Sequence, residues 1–303
     1  MRDIIEMWKK RPSFLTAMVN NRARLLTTLG GALLIFVFWQ LSLILVPMTF
    51  AAVSRVLLAQ SDTLDAGQEA LGISLLLIFG FGPAFIVTML WRKIMERRAI
   101  LTLFTGRRRF RWWLTACAII LIGSLGLALT IVFDSDGLGQ IQARMGRLSP
   151  QDWALLALAY GVGIGVQSTF EEVLMRGWLL QHLARFLVHG AAAVVVCAIV
   201  FTASHAGAVG WATYAAALVF GLAYGWSAVR LNGLEAAIGA HIGNNLVAAL
   251  LGGGMINGNA ASMTGMQMVL YGLYVLGFLL FVEGWARIFP ASDLGPARIG
   301  SRP

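Results

Sequence analysis

Two adjacent carboxylates, followed one helical turn later by an arginine, are the residues of this sequence best suited to chemistry. They are Glu171, Glu172 and Arg176. On a helix, residues four apart share a face, so we expect Glu172 to pair with Arg176, while Glu171 points about 100° away from Glu172. This division predicts a structural Glu172–Arg176 pair and leaves Glu171 to accept a proton. A charged helix end at the membrane interface is the alternative interpretation.

Two further pairs at the same spacing supply imidazoles and an amide. Phe201 and His205 are four residues apart, which predicts that they share a helix face. His241 and Asn245 are also four apart, within one apolar run. An imidazole can transfer protons or bind a metal, and an amide can donate to a developing negative charge. Packing of His205, and a simple helix–helix hydrogen bond from the second pair, are the alternatives.

The composition places these residues in a membrane protein. The chain has 303 residues, of which 58% are hydrophobic and 12% charged, and its mean hydropathy is +0.77. Soluble domains carry about 25% charged residues, so most cytosolic enzymes are excluded. Because a charge in hydrocarbon costs at least about 2.5 kcal/mol, ionisable residues inside apolar runs indicate a functional site. Two cysteines without C-x-x-C spacing predict neither a disulfide framework nor a thiolate zinc site.

Eight apolar runs approach the length of about 20 residues that a helix needs to cross a bilayer. The runs are 25–46, 73–90, 114–133, 153–170, 191–204, 211–229, 234–251 and 268–282. They predict an all-α, polytopic integral membrane bundle with about eight transmembrane helices. Three runs carry glycines four apart, at 161 and 165, 221 and 225, and 239 and 243. Such pairs predict close packing of helices within one bundle.

The charges of the connecting segments alternate in sign along the chain. Basic residues dominate 1–24 and 92–111, whereas acidic residues dominate 53–70 and 134–152. The positive-inside rule then predicts that both termini are cytoplasmic. The net charge of +9 is explained by this topology and by anionic lipid headgroups, so we expect no nucleic-acid partner.

The fourth apolar run is predicted to continue as a helix beyond Glu172. Leaving the apolar residues 178–180 in water would be costly. Without the extension, the rise of about 1.5 Å per residue would place the carboxylates and the second motif at very different depths. Beyond the extension, His182 and His189 are expected to be solvated in a cytoplasmic connection.

Three motifs, in this order, resemble those of the CAAX protease and bacteriocin-processing family, also called CPBP or Abi, which includes the Ras-converting CAAX endopeptidases. They are Glu171-Glu172-x-x-x-Arg176-Gly177, Phe201-x-x-x-His205 and His241-x-x-x-Asn245. Each motif is weak alone, but the ordered set within a polytopic membrane chain is specific. The resemblance covers roughly residues 150–250.

The resemblance implies intramembrane hydrolysis of a peptide bond. It implies that Glu171 activates water with His205 as its partner, and that His241 and Asn245 stabilise the oxyanion. The residues implied to support the site are Glu172, Arg176 and Phe201. A carboxylate removed from water is a better proton acceptor, which agrees with this role.

A metal-dependent mechanism and two other functions stay open from the sequence. Glu171, His205 and His241 would suit zinc, but the H-E-x-x-H spacing is absent, and we expect no obligatory metal. The alternative function is a catalytically silent membrane scaffold or a bacteriocin-immunity protein on the same fold. A transporter would use the intramembrane charges as a relay, but no matching pair of interrupted helices supports it.

Four segments describe the expected organisation. Residues 1–24 are a cytoplasmic basic segment, 25–150 the N-terminal transmembrane helices, 151–251 the CPBP-like catalytic core, and 252–303 the last transmembrane helix with a cytoplasmic tail. The first apolar run is too long for a signal-peptide core and is expected to remain as an anchor. We expect an integral protein of the bacterial inner membrane, with the lipid bilayer and a peptide or membrane-protein substrate as partners.

Overall fold

The chain folds into a bundle of helices. The computed structural model describes residues 12–18, 25–58, 66–133, 148–187, 189–205, 211–251 and 265–289, with a few isolated positions between 138 and 146. The α-helices are α1 (Leu25–Leu58), α2 (Ala66–Ile94), α3 (Trp112–Phe133), α4 (Pro150–Glu172), α5 (Leu180–Phe186), α6 (Gly190–Ala203), α7 (Trp211–Arg230), α8 (Glu235–Leu251) and α9 (Gly265–Ile288). Within these ranges there is no strand beyond one isolated bridge, which confirms the all-α prediction.

Six membrane-spanning candidates are found among the described helices. They are Leu25–Thr49, Leu71–Ile94, Trp112–Val132, Pro150–Phe186, Trp211–Arg230 and Met268–Ile288. The predicted spans 191–204 and 234–251 also form helices, but α6 has 14 residues and α8 has 17. Because about 20 residues are needed to cross the hydrocarbon, these two fall short of full spanning length. The predicted count of eight is therefore not confirmed.

Several predicted features lie outside the described residues. They are most of the basic segment 1–24, parts of the acidic connections at 59–65 and 134–147, the uncharged connections 206–210 and 252–264, and the tail 290–303. The side of the membrane on which the termini lie, and the four-segment organisation, therefore stay predictions.

Helix α4 continues beyond Glu172, as predicted, through a π-helical segment, Val173–Leu179, into α5. The helix begins at a capping box in which the Ser149 hydroxyl and the Asp152 carboxylate accept each other's backbone N–H groups. From Pro150 to Phe186 the helical rod has 37 residues, or about 55 Å. The two carboxylates therefore lie inside a long rod and not at a helix end.

Glycines bring α8 and α3 into backbone contact. A Cβ atom at Gly239 would overlap the carbonyl oxygen of Thr115, and one at Gly243 would lie 2.7 Å from the carbonyl oxygen of Ile119. No larger side chain fits at these positions without separating the helices. The predicted close packing is confirmed for this pair.

The other two glycine pairs differ from each other. Gly221 and Gly225 on α7 lie directly against α6, as predicted. Gly161 and Gly165 have no atom within 4 Å of a Cβ built on them, so the prediction is wrong for this pair. The helical period places Gly163 on a different face of α4, and it is that face which packs on α2.

The start of α8 is anchored to the loop before α3 by a buried ion pair. Arg111 donates from Nε and Nη2 to the two carboxylate oxygens of Glu235, at 3.1 and 2.8 Å. Asn232, in the preceding turn, has a φ of 57°, which Asn tolerates better than most residues, and its side chain accepts the backbone N–H of Phe14 at 2.8 Å. These contacts fix where the polar side chains farther along α8 lie.

His182 is buried beside Glu96, so the expectation of a solvated histidine is wrong. Its Nε2 lies 2.9 Å from Glu96 Oε1, which also accepts from Trp178 Nε1 at 2.8 Å. Burial raises the pKa of the Glu96 carboxyl, and the ion pair with Arg92 offsets only part of this increase. We expected a loop at this position, whereas the helix continues through α5 and the side chain of His182 points into the bundle. His189 is exposed, as expected.

Candidate active site

Helices α4 and α8 face each other across the residues predicted to do chemistry. His241 Nε2 lies 3.7 Å from Glu171 Oε2. One turn farther along α8, Asn245 Nδ2 donates to Ser168 Oγ at 3.3 Å. Because Ser168 and Glu171 are three residues apart on α4, and His241 and Asn245 four apart on α8, each pair shares one face of its helix. The first and third motifs therefore come together.

The Glu171 carboxylate is largely buried, with 9% of the residue exposed. Its Oε1 accepts a hydrogen bond from Gln167 Nε2 at 3.1 Å, and its Oε2 faces His241. Across the described part of the chain, no arginine or lysine forms an ion pair with it. Since its partners are a neutral amide and an imidazole, this carboxylate is not committed to a fixed cation and can accept a proton.

The Glu172 carboxylate is fully buried, and one of its oxygen atoms contacts nitrogen atoms of two other side chains. Arg176 Nη1 donates to Oε1 at 2.9 Å, which confirms the predicted pair. His241 Nδ1 lies 2.9 Å from the same oxygen. Because this oxygen also accepts from Arg176, we assign the donor role in the second contact to Nδ1, and Nε2 then lies towards Glu171. Glu172 therefore orients His241 in addition to pairing with Arg176.

Phe201 connects the second motif to the other two. The Arg176 guanidinium carbon lies 4.4 Å from the centre of the Phe201 ring and 5.7 Å from that of Tyr224, within the range of cation–π attraction. The Phe201 ring is 4.9 Å from the ring of His205, which confirms their shared face, and 6.5 Å from the ring of His241.

His205 lies just after the end of α6 and is partly exposed. Its Nδ1 is 2.9 Å from the carbonyl oxygen of Phe201, so this nitrogen carries a proton and donates. In the ranges that the structure describes, no hydrogen bond or ion pair joins His205 to Glu171. The imidazole that approaches Glu171 is that of His241, whereas the resemblance implied His205.

The three side chains considered for zinc do not form a ligand cluster. Among the described residues there is no group of three or more His, Cys, Asp and Glu side chains that could hold a metal ion. Glu171 and His241 approach each other, but His205 directs its Nδ1 to a backbone carbonyl. The Nδ1 contact of His205 does not involve its Nε2, so the expectation that no metal is obligatory stays a prediction.

Four polar side chains at this interface were not predicted from the sequence. They are Gln167, Ser168, Asn244 and Tyr274. Gln167 precedes Glu171 by four residues, so the helical spacing would have indicated it. Tyr274 lies on α9 and donates to Asn244 Oδ1 at 3.2 Å, a contact that no spacing in the sequence indicates.

An apolar cavity of about 470 Å³ lies beside the π-helical segment. It is bounded by α1, by the π-helical segment and by the end of α6. Lining residues include Trp39, Leu174, Met175, Trp178, Val200 and Ser204. The cavity offers space for an apolar group close to the elements that carry the first and second motifs.

Comparison with known proteins agrees with the motifs. Residues 150–247 match the family model described as type II CAAX prenyl endopeptidase Rce1-like. This segment is an Rce1-like domain of the CAAX protease family. No curated protein and no solved structure matches the chain. The Rce1-like domain begins with α4, ends within α8 and contains all three motifs, which confirms the resemblance.

The family match and the helices together define the class of protein. The family consists typically of proteases, so the match supports a peptidase of the CAAX-protease type. The spanning-length helices on both sides of the Rce1-like domain support an integral membrane protein.

Proposed function

We propose that the chain is an intramembrane endopeptidase in which Glu171 activates the attacking water. The observation that carries this proposal is the 3.7 Å separation between His241 Nε2 and Glu171 Oε2. This distance is too long for a direct hydrogen bond, so both groups can contact a water that lies to one side of the line between them. A water in that position would contact Glu171, which forms no ion pair with an arginine or lysine among the described residues and can act as a general base.

The proposed reaction uses only groups of the chain and water. Glu171 takes a proton from the water while the water oxygen attacks the carbonyl carbon of the peptide bond. The Asn245 amide donates to the resulting oxyanion, and so does His241 Nε2 while the proton taken from the water is shared between Glu171 and this nitrogen. The C–N bond then breaks, and the proton held by Glu171 passes to the departing amine.

The remaining site residues support this chemistry from outside the reacting atoms. Arg176 forms an ion pair with Glu172, and Glu172 orients His241 through Nδ1. His205 keeps the role that the resemblance implies, as a partner of Glu171. The packing of Phe201 against both imidazoles supports its place at the site. We propose no metal-dependent step.

We extend the proposal to the membrane topology. In it, all eight predicted helices lie in the membrane with both termini cytoplasmic, and the short α6 and α8 pack within the bundle. A peptide or membrane-protein substrate reaches the site from the cytoplasmic side of a bacterial inner membrane. The alternating charges of the connecting segments support this orientation, and the cavity beside the π-helical segment can take an apolar part of the substrate.

The test compares cells that lack the protein with cells that express the wild-type chain, Glu171→Gln or the control Glu283→Gln. Glu283 pairs with Arg230 on α7, away from the α4–α8 interface. New N-termini in the membrane proteins are quantified by mass spectrometry. We expect a set of termini with the wild type and with E283Q, reduced by at least about 100-fold with E171Q.

Two results would overturn the proposal. The same set of termini with E171Q as with the wild type would show that Glu171 is not the base. No difference between cells with and without the chain would favour a catalytically silent scaffold.

A further inference from the structure

We propose that Tyr274 and Asn244 are positioning residues that determine which end of the Asn245 amide faces the reacting atoms. The proposal rests on the proposed function, in which Asn245 donates to the oxyanion. It extends the site to α9, because Tyr274 lies outside the matched segment 150–247.

A series of three hydrogen bonds links α9, α8 and α4. The Tyr274 hydroxyl donates to Asn244 Oδ1 at 3.2 Å, and Asn244 Nδ2 donates to Asn245 Oδ1 at 3.0 Å. Asn245 Nδ2 then donates to Ser168 Oγ at 3.3 Å. The two ends are buried, with Tyr274 3% and Ser168 0% exposed, so water does not readily replace them.

A phenol hydroxyl can donate or accept and is stronger as a donor, so Tyr274 favours the direction in which it donates to Asn244 Oδ1. An amide has an acceptor end and a donor end, so two linked amides can be arranged in either of two directions. When Asn244 Oδ1 accepts the hydrogen bond from Tyr274, the NH₂ group lies at the other end of the amide, where it donates to Asn245 Oδ1. That contact occupies the acceptor of Asn245 and turns its NH₂ group towards α4.

The direction matters because of what the Asn245 NH₂ group meets on α4. It has two hydrogens, and one of them is used by Ser168, which leaves the second for a ligand. Ser168 precedes Glu171 by three residues, so the Asn245 NH₂ group lies against the face of α4 that carries the proposed base. The opposite direction would present Oδ1 there and repel an oxyanion.

The experiment compares Tyr274→Phe with the matched control Tyr271→Phe. Tyr271 is also buried on α9, and its hydroxyl donates to the backbone carbonyl of Ala216 at 2.8 Å. Each variant loses one hydroxyl hydrogen bond, but only Tyr274 connects to Asn245. Purified chains in proteoliposomes cleave a synthetic peptide spanning a bond that the wild type cuts and E171Q does not.

We expect Y274F to lower kcat by about tenfold or more, with KM unchanged, because a misdirected donor weakens only the transition state. Y271F should keep the kcat of the wild type, and the melting temperatures of the two variants should shift by similar amounts. In an Asn245→Ala background, which itself lowers kcat by about 10²- to 10³-fold, Y274F should have no further effect.

Two results would overturn the positioning role. They are an unchanged kcat in Y274F, or an effect of Y274F that multiplies with that of N245A. Either result can occur while the wild type cleaves the peptide and E171Q does not. The positioning role would then be wrong, and the proposed function would stand. If E171Q and the wild type give the same products, the proposed function itself is wrong.

Discussion

Glu171 and Glu172 are neighbours in the sequence, yet they have different partners. The step of about 100° per residue directs Glu172 to Arg176 within its own helix and Glu171 to Gln167. His241 lies between the two carboxylates, with Nδ1 towards Glu172 and Nε2 towards Glu171. One carboxylate is therefore neutralised and the other remains able to take a proton.

We predict that Glu172→Gln destabilises the fold far more than Glu283→Gln. The first change leaves the fully buried Arg176 without its ion partner, which costs about 3–5 kcal/mol. In the second, the side chains of Arg230 and Glu283 are 21% and 25% exposed, so we expect about 1 kcal/mol or less. Unfolding of both variants in detergent measures the difference, and equal losses would contradict it.

At the scale of the elements, the π-helical segment lets one continuous helix place its side chains against two different parts of the bundle. It begins directly after Glu172, and a π turn takes in one more residue than an α turn, which shifts the register of α5 relative to α4. Arg176 can then meet Phe201, while Trp178 reaches Glu96. The segment therefore connects the site to the buried polar cluster at the end of α2.

The glycines predict a second difference in stability. Gly239→Ala places a methyl group against the carbonyl of Thr115, so we expect α8 to move from α3 at a cost of about 1–3 kcal/mol. Gly161→Ala meets open space and should be neutral, or stabilising by up to about 1 kcal/mol through helix propensity. Melting temperatures of the two variants test this, and a comparable loss in G161A would contradict the packing described here.

At the scale of the whole molecule, the arrangement of the helices determines which residues form the site. Helix α8 packs between α3 and α4, and α4 packs between α8 and α2. The buried pair Arg111–Glu235 and the glycine contacts fix α8 against α3. The His241–Asn245 face of α8 is thereby directed at Glu171.

The alternating charges predict that the loop before α3 and the start of α4 lie on opposite sides of the membrane. Arg108 and Gln151 are exposed and suit cysteine labelling. In a chain with Cys117 and Cys197 replaced, we expect an impermeant maleimide to label R108C in inside-out vesicles and Q151C in right-side-out vesicles. Labelling of both from one side would contradict the predicted topology.

Composition and residue spacing were enough to predict the all-α membrane class, the Glu172–Arg176 pair and the shared face of Phe201 and His205. These depend on composition and on contacts within one helical turn, which the helical period dictates. The approach of His241 to both carboxylates and the contact between Tyr274 and Asn244 are visible only once the helices are packed together. Such contacts depend on how each helix is rotated and shifted against its neighbours, and this follows from packing summed over many side chains rather than from any local spacing.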